Sequence, residues 1–275
     1  MKQSFYFITC IILALALNAC SDKMDDPVCF DFDEFLATYQ NVCTLVTDAI
    51  EYPDFWWNPN NPFVPSDETL RSTSTCGLLV TLQKYTGMWY PAVGSLNAPI
   101  ISMYNNYLRE CKVAVEFFKR GDFYPVLVSE YLSVIKKNFE WGGRAADSPH
   151  YIQWLLASDM SMSVMSKKEK IQLMVMALER TKYALDMESQ EPCLIMIAIM
   201  KSCKYAPFME DIEPRLVETC VGYTMIEPGF KPVFFESIGY TWVKLEGPGF
   251  TANFLTSDHR EIIIKCAKQF LNEQK

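Results

Sequence analysis

The stretch CLIMIAIMKSC, Cys193 to Cys203, carries eight apolar residues in succession before its first charge at Lys201. A helix on a protein surface interrupts its apolar face with polar residues at every third or fourth position. This one has no such interruption, so it predicts a helix enclosed on nearly every side, in the middle of a helical bundle. Pro192 directly precedes it and suits a first helical turn, where a missing N–H goes unmissed.

The flanking sequence supplies helices to enclose it. Ser166-Lys167-Lys168-Glu169 has the form of a capping box and opens a helix with Ile171, Met174, Leu178 and Thr181 inward. Upstream, Ser148-Pro149 predicts a helix start, and Pro125 suits the first turn of a helix reaching about Phe139. Ile100, Tyr104, Leu108, Cys111, Val115 and Phe118 form one stripe, ended by the cationic Lys119-Arg120 and a glycine cap at Gly121. Leu78, Leu79, Leu82 and Tyr85 mark a helix stopping at Gly87. The first helix opens with the capping pair Asp31 and Glu34 and runs along Phe32, Phe35, Leu36, Tyr39, Val42, Cys43, Val46 and Ile50.

Downstream, a short helix is expected from Ile212 to Val221. From Gly222 to Ser257 the texture turns to Gly, Pro and aromatic residues, with VFFESIGYTWVKL as a candidate β-hairpin. Asp258 with Glu261 caps a last helix. The fold class expected is therefore all-α: antiparallel helix pairs in a multi-helix bundle or short solenoid, with an irregular segment before the last helix.

The amino terminus has a different character. Phe5 to Leu17 is apolar but far shorter than the roughly 20 residues that span a bilayer, and it follows Lys2, as the core of a signal peptide does. Leu17-Asn18-Ala19-Cys20 resembles the lipobox of bacterial lipoproteins, Asn18 being a less usual residue at its position. The resemblance implies cleavage before Cys20 and attachment of acyl chains there, palmitate among them. Residues 1–19 are then a signal peptide, 20–28 a lipidated cysteine and acidic tether, and 29–275 one helical domain. The tether Ser21-Asp22-Lys23-Met24-Asp25-Asp26 is similar to the acidic export signals of Bacteroidota surface lipoproteins. It implies an outer-membrane protein facing the cell surface, with a periplasm-facing position as second choice.

A hydrophobic fraction of 50% and an aromatic fraction of 14% suit a folded body. The net charge of −8 argues against nucleic acid, whose phosphates need Lys and Arg; the longest basic cluster is Lys167-Lys168 with Lys170.

Motifs that name a reaction are missing. His150 and His259 belong to no metal-ligand pattern and are expected at the surface near helix starts, so no metal or cofactor is implied. Cys76, near the start of a helix in STSTCGLLVTLQ, is placed where the positive helix end favours thiolate. With His150 as base and Asp159 as orienter it would give a papain-like cysteine peptidase, the alternative reading as an envelope hydrolase. The bland reading of Cys76 is a buried thiol. At most two disulfides are expected among Cys29, Cys43, Cys76, Cys111, Cys193, Cys203, Cys220 and Cys266. Cys193 and Cys203 cannot pair, since ten helical residues separate them by about 15 Å.

The remaining candidate is EYPDFWWNPNNPFVPSD, Glu51 to Asp67. Trp56 and Trp57 with Asn58, Asn60 and Asn61 would offer flat rings and amides to a glycan or a protein partner, and Trp89 and Tyr90 would extend that surface; the same rings could instead cover the helices. The expectation is a lipid-anchored binding or interaction module rather than an enzyme.

Overall fold

The computed structural model describes residues 37–39, 42–43, 45–51, 64–84, 101–140, 150–181, 190–219, 222–226, 231–237, 240–246 and 257–274. Among the described residues the fold is α-helical with two small antiparallel hairpins. Its helices are α1 (Asp67–Ser72), α2 (Thr75–Lys84), α3 (Ile101–Glu110), α4 (Lys112–Lys119), α5 (Phe123–Glu140), α6 (His150–Ala157), α7 (Asp159–Val164), α8 (Lys167–Thr181), α9 (Gln190–Ser202), α10 (Ala206–Asp211) and α11 (Ser257–Asn272). Strands β1 (Leu216–Thr219) and β2 (Gly222–Met225) form one hairpin, and β3 (Lys231–Ser237) and β4 (Tyr240–Glu246) the other. No helix among the described residues is long and apolar enough to cross a membrane.

Helix α9 is the axis of the molecule. Every residue from Cys193 to Met200 is buried, and the helix packs against α6, α7, α8, α10, α11 and β2. Enclosure follows from composition: no face of these eight residues gains from water, so each is covered by a different neighbour. Helix α11 completes the enclosure with Ile263, Cys266, Ala267, Phe270 and Leu271 inward, a stripe at three- and four-residue steps. Asp258 falls inside its first turn rather than at the cap.

The stripe from Ile100 to Phe118 is not one helix. The backbone is extended at Cys111, φ −75° and ψ 107°, and a new helix starts there. Continued from buried Asn105 and Leu108, the α3 register would turn Lys112 and Lys119 inward. The break re-phases the chain, so that Phe117 and Phe118 are buried and both lysines face water. Gly121 is not a left-handed cap, because α4 ends at Arg120 in extended backbone. Arg120 instead pairs with Glu116 at 3.0 Å and donates to the carbonyls of Leu70, Arg71 and Thr73 at the end of α1, where a cation is favoured.

Two further expectations are corrected. Over the described part of Ile212 to Val221 the chain is not an α-helix but a 3-10 turn with Pro214 followed by β1, and Val217 and Met225 of that hairpin are buried. The helix foreseen from Phe32 to Ile50 does not reach its end: 37–39 are helical, while 45–50 have no regular structure. Two N–H groups of this segment, those of Val42 and Ile50, go to other elements. Val42 donates to Ser129 Oγ at 3.1 Å and Ile50 to Thr81 Oγ1 at 2.8 Å.

Asp48 makes the same segment a cap for α2. Its carboxylate accepts the Ser74 N–H at 2.6 Å and the Ser74 hydroxyl at 2.9 Å. Gly77 allows this approach, since a Cβ there would stand 2.8 Å from Thr73 Cγ2 and 2.9 Å from Asp48 Cγ. The Ser74 N–H holds the Asp48 carboxyl below its ordinary value near 3.8, against a smaller opposing effect of burial. A carboxyl lowered on folding stabilises the fold above its unfolded value and loses that contribution as pH falls through the folded value. Asp48→Asn is therefore expected to lower the melting temperature at neutral pH and to bring the two proteins together below pH 3.8. Parallel curves across that range would remove the charge from the account.

Candidate functional site

An open cleft of about 470 Å3 lies where the start of α8, the turn after α9 and the end of α11 meet. Its wall carries Lys167 and Lys170 from the first turn of α8 and Lys204 from the turn. Among the described residues lining it there is no carboxylate.

The capping box foreseen at the start of α8 is present. Glu169 Oε2 accepts both the N–H and the hydroxyl of Ser166 at 2.7 Å, while Ser166 Oγ accepts the Glu169 N–H at 3.3 Å. Lys167, Lys168 and Lys170 share that first turn with the Glu169 carboxylate, which keeps its charge and complements the positive helix end.

Helix α9 ends in a double turn: Tyr205 N–H reaches Met200 O and Lys204 N–H reaches Lys201 O, each at 3.0 Å. This is the Schellman arrangement, which requires a left-handed residue between them and usually takes glycine. Lys204 occupies that place with φ 50°, a conformation costing an L-residue about 1–2 kcal/mol. Tyr205 closes the floor. Its ring meets Phe270 edge-on at 5.2 Å, and its hydroxyl donates to Glu273 at 2.9 Å. Burial first, and then the Glu273 carboxylate, raise the Tyr205 phenol well above its usual range, so it remains a neutral donor.

The sequence-predicted candidates fall elsewhere. Trp56, Trp57, Asn58, Asn60, Asn61, Trp89 and Tyr90 lie outside the described residues, as does Cys20. Cys76 is bonded to Cys43, with Cα atoms 5.7 Å apart, so it lacks the free thiol that a cysteine peptidase requires. Asp159 forms an exposed ion pair with Arg109 at 2.9 Å. His150 begins α6, its side chain outside the description, and His259 is buried at 7% exposure rather than lying on the surface. The other described cysteines are free: Cys193 and Cys266 are buried, with thiols pushed up to about 12 and about 11 chiefly by that burial, Cys111 is half-buried, and Cys203 is exposed at the cleft.

Lys167, Lys168 and Lys170 are visible in the sequence as its longest basic cluster, but they read there as an ordinary solvated helix start. Lys204 carries a weaker signal: the helix ends in Ser-Cys-Lys-Tyr where a glycine would be usual. No protein-family model, curated protein or solved structure matches the chain. The site is accordingly interpreted from its own chemistry.

Proposed function

We propose that the chain is a lipid-anchored protein of the cell envelope that acts as a binding module, with the lysine-walled cleft as a ligand site. The cleft is the observation that carries the binding reading: it is open, of a volume typical of small-molecule sites, which span about 300–1,000 Å3, and walled by one sign of charge in a chain of net charge −8. Anchoring rests on the lipobox resemblance at Leu17-Asn18-Ala19-Cys20. The Cys43–Cys76 disulfide is in keeping with export, since such bonds persist in oxidising compartments.

Mass spectrometry of the membrane-extracted protein is expected to find Cys20 as the amino terminus, carrying two or three acyl chains. An unmodified Cys20, or a chain recovered free in solution, would remove the anchor from the proposal. Binding is tested with the full chain in nonionic detergent against a panel of envelope glycans and proteins, read by thermal shift. A panel that leaves the melt unmoved counts against the module.

A further inference from the structure

We propose that the Cys43–Cys76 bond is a redox latch: a dithiol donor reduces it in the folded protein, and the chain between Tyr39 and Ile50 then swings off the body while the helices stay in place. The inference goes beyond the binding reading and depends on neither the α8 cleft nor its ligand. It starts from how unequally this segment is held. The bond joins a stretch without regular structure to the first turn of α2, and both of its cysteines are part-exposed.

Apolar contacts pin the segment at its ends. Tyr39 sets its ring edge-on to Tyr124 at 6.1 Å, and Ile50 is buried. Between them Val42 and Leu45 are exposed, and no described side chain is buried. Among the described residues the ties there, apart from the disulfide, are polar: the Val42 N–H on Ser129 Oγ and the Asp48 carboxylate on Ser74. Hydrogen bonds close to water contribute little net stability, so a stretch with few buried apolar contacts opens locally at low cost once its covalent tie is gone. The body beneath keeps its own ties. Gln83 Nε2 donates to Glu130 at 3.0 Å and joins α2 to α5, while Thr75 Oγ1 donates to Asp122 at 2.6 Å and joins the start of α2 to the turn between α4 and α5. A chain of this size also buries enough apolar surface to fold without a covalent staple.

The same geometry selects the donor. A donor thiolate attacks one sulfur of the bond, forms a mixed disulfide and releases the other cysteine as a thiolate, which takes up a proton. Because Tyr39 and Ile50 still hold the ends of the segment, the released cysteine stays beside the mixed disulfide and re-forms the original bond by attacking it. A monothiol donor is expelled in this way. A dithiol escapes, since its second thiol displaces the remaining cysteine and closes the donor into a disulfide; two electrons and two protons have then passed to Cys43 and Cys76.

The test uses the full oxidised chain in nonionic detergent without denaturant. It is treated with dithiothreitol or with mercaptoethanol at equal thiol concentration, then pulse-alkylated and mapped by peptide mass spectrometry. Cys193 and Cys266, free and buried, report whether the body stays closed. Dithiothreitol is expected to open Cys43 and Cys76 to alkylation and to leave Cys193 and Cys266 as protected as in the oxidised chain, with mercaptoethanol less effective. Hydrogen exchange at Val42 and Ser74 should quicken by about tenfold or more on reduction, with α9 unchanged. The Cys43→Ala, Cys76→Ala protein should show the fast exchange without reductant, and dithiothreitol should not alter it. Labelling of Cys193 or Cys266 together with Cys43 would make the bond a staple of the whole fold and overturn the inference. So would a bond that resists dithiothreitol until denaturant is added, equal reduction by the two reagents, or a reduced protein in which Val42 and Ser74 exchange as slowly as before.

Discussion

Ile197→Ala is expected to cost about 2–5 kcal/mol, the range for truncating a fully buried aliphatic side chain, because Ile197 lies at 0% exposure midway along α9. In a chain of this size that lowers the melting temperature by about 2–4 °C for each kcal/mol. Ile262→Ala is the matched control: the same side chain on α11 is 37% exposed, and substitutions near the surface usually change stability by only about 0.5 kcal/mol. The difference tests the central position of α9 and not the general virtue of isoleucine. Equal costs at the two positions would mean that α9 is not enclosed as described. Ile197→Asp should go further and prevent folding, since a carboxylate there would have neither water nor a partner.

Removal of the Cys43–Cys76 bond is the second large effect. The bond links positions separated by 33 in sequence, and a loop of that length constrains the unfolded chain by about 3–4 kcal/mol on the chain-entropy account. The Cys43→Ala, Cys76→Ala protein should therefore melt well below wild type in non-reducing buffer, and reductant should bring the wild type down to meet it. If both proteins melt together without reductant, the bond contributes nothing to the native state. The paired replacement is preferable to either single one, which would leave an unpartnered thiol open to new disulfides.

What could be read in advance follows a physical divide. The buried α9 was legible because an uninterrupted apolar run leaves a helix no face for water, and the Ser166 box because its two side chains and two N–H groups are local in sequence. The β3–β4 hairpin was legible in the same way, through the alternating VFFES and YTWVKL flanks. The break at Cys111 was hidden, because Lys112 and Lys119 fit the outer edge of a continuous stripe until the packing of Phe117 and Phe118 is known. The irregular course of 45–50 was hidden for a related reason: its hydrogen-bond partners, Ser74 and Thr81, lie far along the chain and leave no periodic mark. The candidate site was half legible. Its basic cluster is plain in the sequence, but Lys204 is placed beside it only by the fold.

The stitching of residues 42–50 onto the body has a mechanical consequence. For a chain held at Cys20, as proposed, any drag on the domain enters at the amino-terminal side and travels first along the tether. The load meets the Cys43–Cys76 bond before it meets Asp48, Ile50 or the helices behind them. It is thereby delivered covalently into the first turn of α2, at the far end of the segment the bond closes, and the hydrogen bonds of Asp48 and Ile50 within that segment are shielded from being peeled one after another. Under oxidising conditions the force needed to begin unfolding from the anchor should be set by shearing α2 out of the body. Under reducing conditions it should be set by the much weaker unzipping of the strap.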